Sequence, residues 1–429
     1  GLNDEAFQTW AGTRMPLGAS CALRVGNVTV VVCSLRDQAY GPDLFRSVGV
    51  CPQAHRLIAV KSAQHFVAGF SSLTSSILLV SGGGPLRSDV RQWPFRALAR
   101  PIWPLDPSGL DGCLHHWLDH WALEFPDTEA AIDPRERLSY AQLRREVHAC
   151  AAALMAFGVE HGDRVAMLAV PGTQFLRWFL ATASIGAIWV GLNPRYTETE
   201  LDGIVSKVEP KLILCHWEID GRNFDAWATA QARATQVALV PGPRQCPQEL
   251  QSLEDLLLRG QSVTPDRLAA RLSATRPDDP CLIVFTSGSS GPPKGALISH
   301  GSLCGASEVQ VAQWNVRPLR VLNNLPINHI GCVGDLACYA LVGGGMSVFS
   351  ERFSPSAVPH LIRTESVTVY AQVPSMFQLV LAEQKFNPSD LSGVQLIFWG
   401  GAQAPPELID RLQRLCPWLA TSYGQTETV

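Results

Sequence analysis

Residues 286–295 read TSGSSGPPKG, a run with much of what is needed to hold a polyphosphate. Gly288, Gly291 and Gly295 let the backbone turn tightly and bring its N–H groups close to a ligand. Thr286, Ser287, Ser289 and Ser290 add hydroxyl donors, and Lys294 adds a mobile positive charge. A turn of this composition suits phosphate oxygens. It is not a Walker A loop, because Lys294 is followed by Gly295 and not by Ser or Thr. The plain alternative is a flexible surface turn. Pro292 and Pro293 count against it, since each fixes its own φ.

Histidines are the other residues whose spacing could do chemistry. His116 and His120 are four apart in CLHHWLDHWALEFPD and share a helix face, as metal ligands sometimes do. No HExxH glutamate and no third ligand lie nearby, so an amphipathic helix with surface histidines is expected. His55 and His65 have no ligand cluster near them and read as ordinary strand or loop residues. His329 lies in a loop after the strand-like start of LNNLPINHIGCVG, at residues 322–334.

The elements that position the glycine-rich run are legible. Residues 282–285 form a short apolar strand directly before it. Residues 138–158 are an apolar-periodic helix ended by Gly158, and GDRVAMLAV is the next strand. Residues 175–201 then give helix, strand and turn. Alternation of strand and helix continues to Pro280 and predicts an α/β fold, with parallel sheets flanked by helices. Residues 367–381 read as a buried strand followed by a helix that Pro374 begins. Residues 394–409 read as a strand, a turn at Gly400-Gly401-Ala402, and a helix.

These motifs, in this order, resemble the adenylate-forming superfamily of acyl-CoA synthetases, luciferases and peptide-synthetase adenylation domains. TSGSSGPPKG looks like the family's phosphate loop, with Ser290 where Thr is common. GLNPRYTETEL is a recurrent motif whose Asn-Pro-Arg-Tyr form looks more like acyl-CoA synthetases. TSYGQTE, residues 421–427, resembles YGxTE, with Ser422 where Gly is usual. The resemblance covers about residues 112–429. It implies activation of a carboxylic acid, fatty or aryl, by ATP, then transfer to the thiol of CoA. It implies that Thr286, Ser287, Gly288, Ser289, Ser290, Gly291 and Lys294 hold the ATP phosphates. Gly400, Gly401, Ala402 and Gln403 would receive adenine, with Tyr423 stacking on it beside Gly424. Thr426 would bond the α-phosphate and Glu427 would hold Mg2+, a hard ion that prefers carboxylate and phosphate oxygens. His329 would stand where the carboxylate and pantetheine channels meet. Lys294, His329, Thr426 and Glu427 are thus the implied catalytic residues. Residues 367–381 would line part of the acyl pocket. Packing alone would also explain them, as a simple strand-to-helix turn would explain residues 400–403.

Residues 1–106 read as a smaller α/β or mostly β module. Residues 27–34, 55–66 and 75–85 are its expected strands, the last ending in a glycine turn. VVVCSLRDQAYGPDLFRSVGV, AVKSAQHFVAGF and RPIWPLD resemble the C-terminal domain of the microcystinase C metallopeptidases. In that family the zinc site belongs to a different, larger domain, so no metal ligand is implied here. Residues 107–112 would be the linker, in a stretch with three prolines and two glycines, and residues 113–429 the AMP-binding domain.

Composition bounds the rest. The chain has 429 residues, 46% apolar and 17% charged, enough for two or three domains and a large core. A net charge of −4 gives no reason to expect nucleic acid. Twelve scattered cysteines without a CxxC pair fit reduced thiols in a cytoplasmic protein. No apolar run spans a bilayer and no signal peptide is visible. Oligomeric state is not written in the sequence. The start at Gly1 and the end at Val429, before the family's ribose-binding aspartate, hinge and adenylation lysine, suggest a fragment or fusion, inactive by itself. The rival readings are a fragment that at most binds nucleotide and a metallopeptidase-related protein.

Overall fold

In the computed structural model the described residues are 2–10, 13–62, 66–78, 80, 112–239, 250–286 and 294–426. The chain divides into two compact units, Gly1–Arg96 and Ala97–Val429.

The first unit is built from short antiparallel strands. Leu2–Asn3, Ser20–Val25 and Val28–Cys33 form one sheet, and Phe7–Trp10 pairs with Thr13–Pro16. Its core is small, with Ala6, Leu17, Ala39, Phe66 and Phe70 buried. The buried Gln8 side chain ties the connection together, donating to the Gln38 carbonyl at 2.7 Å and accepting from the Tyr40 amide at 2.9 Å. The strand expected at 27–34 is present. The one expected at 55–66 is not: residues 55–62 run irregularly and Phe66–Phe70 is a short helix. Among the described residues no strand pairs with residues 55–62, and Leu57 is exposed, so the apolar pattern there has no described sheet to join. Residues 75–78 form no strand, and most of the rest of 75–85, like His65, lies outside the described residues. His55 is an exposed loop residue whose Nδ1 meets the Cys51 carbonyl at 3.0 Å.

The second unit holds two seven-stranded sheets. The first runs, in spatial order, Gln251–Ser252, Gln236–Leu239, Leu212–Cys215, Arg164–Leu168, Ile188–Leu192, Pro280–Thr286 and Lys294–Ser299. All neighbours are parallel except the last pair, an antiparallel hairpin. The second runs Leu419–Thr421, Leu396–Trp399, Val369–Gln372, Arg320–Asn323, Met346–Phe349, Glu129–Ile132 and Arg137–Ser139, again parallel except at its final pair. Their central strands are buried on both faces, which is why they read as continuous apolar runs and not as alternating ones.

Helices cover the faces. Tyr140–Phe157 starts at a capping box, with Ser139 accepting from the Gln142 amide and the Gln142 side chain accepting from the Ser139 amide. It ends at Gly158, whose φ of 93° suits a residue without a β-carbon. Leu114–Glu124 packs against Tyr140–Phe157, Thr173–Ser184 and Tyr339–Val342. It is therefore covered on several sides: His115 is buried, and the expected surface histidines His116 and His120 are half-buried. The largest apolar cluster fills the space between these helices and the first sheet, around Phe175, Trp178, Phe179 and Trp189.

Candidate functional site

The implied site residues fall at strand ends. Thr286 closes Pro280–Thr286 and Lys294 opens Lys294–Ser299; the two are directly paired, with the Thr286 hydroxyl donating to the Lys294 carbonyl at 3.3 Å. Lys294 is exposed. A β-carbon on Gly295 would stand 3.0 Å from the Ile283 side chain across the hairpin. The hairpin thus delivers both ends of the glycine-rich run side by side. Ser287, Gly288, Ser289, Ser290 and Gly291 lie outside the described residues, as does Glu427.

The second cluster sits where two parallel strands of the second sheet finish. Trp399 and Thr421 are in register, and the Ser422 amide donates to the Trp399 carbonyl at 2.9 Å. Gly400 and Ser422 are so close that a β-carbon on Gly400 would stand 2.6 Å from the Ser422 hydroxyl. Gly401 has a φ of 77°, in the region that favours glycine, and turns the chain toward Pro406–Leu415. Gly400 therefore lies beside Ser422 at one sheet end, where the turns 400–403 and 422–426 begin, with Gly401, Ala402, Gln403, Tyr423 and Gly424 exposed and Thr426 half-exposed. Tyr423 is 98% exposed, so its ring is open to a partner.

His329 lies in the turn after Arg320–Asn323. Its amide donates to the Pro326 carbonyl at 3.0 Å, and its own carbonyl accepts from the Cys332 amide at 3.1 Å. Solvent reaches the ring, yet protein atoms around it exclude enough water to lower its pKa. The helix that follows, Gly331–Cys338, is a π-helix, a form that is rare and often found at functional sites. It carries Asp335, whose pKa burial pushes up to about 6, opposed by a hydrogen bond from Gln310.

Sequence reasoning missed a set of buried amides at the same end of the second sheet. Asn323, Asn324, Asn328 and Gln372 are all at least nine-tenths buried. Gln372 Nε2 donates to Asn324 Oδ1 at 2.6 Å, and Asn323 Nδ2 donates to the Cys332 carbonyl at 2.9 Å. Asn324 Nδ2 and Gln372 Oε1 keep unmet hydrogen-bonding capacity. The signal was two adjacent asparagines ending an apolar strand in LNNLPIN.

Other titratable groups in the unit are structural. The Leu114 amide reaches His300 Nδ1 at 3.4 Å, so Nε2 carries the proton toward the Ala183 carbonyl at 3.1 Å. Burial raises the pKa of the Cys150, Cys281 and Cys304 thiols, which makes them inert. No group of three or more metal-ligating side chains stands together among the described residues. No helix among them is long and apolar enough to cross a membrane.

Comparison with known proteins matches this architecture. The chain is 32% identical over 317 residues to an indoleacetate–CoA ligase of Aromatoleum aromaticum, covering 73% of this chain and 60% of that protein. It is 31% identical to a feruloyl-CoA synthase of Amycolatopsis, covering 73% and 59%, and 30% identical to the mitochondrial medium-chain acyl-CoA ligase ACSF2 of Mus musculus, covering 72% and 54%. The chain thus spans 60% or less of the length of these curated relatives. Among solved structures, apo MatB from Rhodopseudomonas palustris superposes with a TM-score of 0.62 at 26% identity, covering 74% of this chain and 61% of that one. The N-terminal domain of FACL13 from Mycobacterium tuberculosis gives 0.60 at 24% identity, covering 73% and 76%. Residues 1–97 match the family model of the MlrC C-terminus. Residues 118–429 match the model of the AMP-binding enzymes, and through them this chain belongs to that family.

Proposed function

We propose that this protein is an ATP-dependent acid–thiol ligase, converting a fatty or aryl carboxylic acid to an acyl-adenylate and then to a CoA thioester. The observation that carries the proposal is the pair of adjoining turns, residues 400–403 and 422–426, at the finishing ends of two parallel strands in an AMP-binding fold. Ligands of open α/β sheets bind at such ends. The relatives named as CoA ligases of indoleacetate, ferulate and medium-chain acids support the substrate class.

In this proposal the bare backbone at Gly400 and Gly401 receives adenine, with Ala402 and Gln403 beside it and Tyr423 stacking over the ring next to Gly424. Lys294 and the hydroxyl and amide groups of residues 286–291 screen the triphosphate, so that a carboxylate can approach the α-phosphate despite like charge. Thr426 bonds that phosphate. His329, whose pKa is lowered by desolvation, would accept a hydrogen bond from the incoming thiol. As the YGxTE-like motif implies, Mg2+ would be held by Glu427 and phosphate oxygens, an arrangement this ion commonly takes. Bound there, it would neutralise phosphate charge.

The test is acid-dependent pyrophosphate exchange, followed by detection of the CoA thioester, with indoleacetate, ferulate and octanoate offered in parallel. It is run on this chain and on a version extended with a family C-terminal region. Exchange by the extended form with at least one acid is expected. Binding of ATP without exchange in either form would favour a nucleotide-binding role instead.

A further inference from the structure

Two strands of the second sheet finish at Trp399 and Thr421, just before the turns 400–403 and 422–426. At the opposite end, where Arg320–Asn323 and Met346–Phe349 begin, a separate cavity of about 660 Å3 opens. Its walls include Trp121, Phe125, Tyr140, Pro318, Leu319 and Met346. The Trp121 and Phe125 rings are 5.9 Å apart, and the Tyr140 ring is 6.5 Å from Trp121. Two glycines let this wall form. A β-carbon on Gly344 would stand 2.8 Å from the Trp121 ring, and one on Gly345 would stand 2.6 Å from Leu319 Cγ. Both side chains therefore rest on bare backbone.

The charges at the cavity do not cancel. Glu129, Arg317 and Arg320 all reach it. Arg320 lies 3.3 Å from Glu129 and is also held by Glu365, while Arg137 bridges the same two carboxylates. That group is two cations against two anions. Arg317 forms no ion pair among the described residues; its Nη1 donates only to the Val316 carbonyl, at 2.7 Å. One guanidinium is left over beside an aromatic wall.

We propose that this cavity is a second binding site, apart from the strand-end residues of the proposed reaction, for a small aromatic monoanion. Its ring would lie against Trp121 and Phe125 and its charged group would meet Arg317. The volume is in the range of pockets that take such molecules. The charge-assisted, forked contact a guanidinium makes with a carboxylate or sulfonate gives the orientation. The proposal stands independently of acid activation at the other end of the sheet.

The experiment is calorimetric titration of the full chain with naphthalene-1-sulfonate, which has an aromatic body and one negative charge but no carboxylate to activate. One equivalent is expected to bind. Arg317→Glu should weaken it by at least about ten-fold, the size of one charge-assisted contact, and Arg317→Gln by less. Lys294→Ala should leave it unchanged, and 1-naphthylmethylamine, with the opposite charge, should bind at least about ten-fold more weakly. Arg317 is exposed, so both variants should keep the parent circular dichroism spectrum. Absence of binding at millimolar probe, equal affinity in a folded Arg317→Glu, or loss with Lys294→Ala would each overturn the proposal.

Discussion

Gly191 packs directly against the carbonyl oxygen of Ile327. A β-carbon on Gly191 would overlap that oxygen and stand 2.9 Å from Asn328 Cα. Gly191 belongs to the first sheet, and Ile327 to the loop that leaves the second sheet and leads to His329. The contact therefore sets how closely this loop approaches the neighbouring sheet. Asn328 adds to it by donating to the Tyr196 hydroxyl at 3.3 Å. Gly191→Ala should force the loop outward and cost about 1–3 kcal/mol, as overpacking of a filled core does. Urea denaturation measures the loss, and a midpoint equal to that of the parent would refute the close fit.

Asp335 gives a prediction with a pH signature. Its folded pKa of about 6 lies above the usual carboxylate value, because burial opposes the charged form. Between about pH 4 and pH 6 the folded state holds a proton that the unfolded state has released. Stability is therefore lost as pH rises through that window. Asp335→Asn keeps the shape and removes the charge. It should gain about 1–3 kcal/mol at pH 7 and little at pH 4. Equal effects at the two pH values would show that charge burial is not the cause.

Much of this architecture could be read from the sequence because its signals are local. The capping box at Ser139 and Gln142, the stop at Gly158, and the apolar run that became Pro280–Thr286 need no partner to be recognised. Residues 55–66 misled because a β-branched pattern makes a strand only where another strand receives it. The amide group of Asn324 and Gln372 joins positions 48 residues apart and exists only after the sheet pairs. The π-helix and the raised pKa of Asp335 depend on packing in the same way. Family motifs named the strand-end residues, and the fold sets Gly400 beside Ser422. Residues 287–291 and Glu427 lie outside the described residues, so their roles rest on the motif.

The histidines predict a second pH response of opposite sign. Burial pushes His115 down to about 3 and His216 and His300 down to about 4, with His116 and Arg135 adding repulsion at His115 and His216. Their ordinary value is about 6.5. Below that pH the unfolded chain takes up protons that these three cannot accept in the fold. Stability is therefore full above about pH 6.5 and falls as pH drops toward 4, each histidine contributing up to about 1.4 kcal/mol per pH unit. Three such groups outweigh the single opposing term from Asp335. Urea midpoints between pH 7.5 and 4.5 should decline, and His300→Gln, though less stable at pH 7, should show a shallower decline. A flat profile would contradict the burial of these rings in their neutral form.

Lys294 is proposed to meet the phosphates, and its placement makes the test clean. It is exposed at the first position of an edge strand, and its backbone, not its ammonium group, pairs with Thr286. Lys294→Ala should therefore leave the fold intact. It should weaken ATP binding by about 1.5–3 kcal/mol, the worth of one charge-assisted hydrogen bond. Calorimetry with ATP and Mg2+ reads this directly. Unchanged affinity would remove Lys294 from the proposed site.

The division into two units predicts how the chain comes apart. The chain divides into compact units after Arg96, and the two family matches end at residue 97 and begin at residue 118. Three prolines and two glycines fall in residues 100–112, where the linker at 107–112 is proposed. A stretch of this composition between two separately packed cores is the expected place for a broad-specificity protease to cut first. Brief digestion with thermolysin should yield one fragment ending, and one beginning, between about residues 97 and 117. The larger fragment should keep the cooperative unfolding and the ATP affinity of the whole chain, because among the described residues its core clusters draw on positions from 114 onward. Mass spectrometry locates the cut, and gel filtration tests whether the fragments separate. A first cut within the 129–421 sheets, or a larger fragment that unfolds once released, would mean that the two units do not fold independently and that the proposed boundary is wrong.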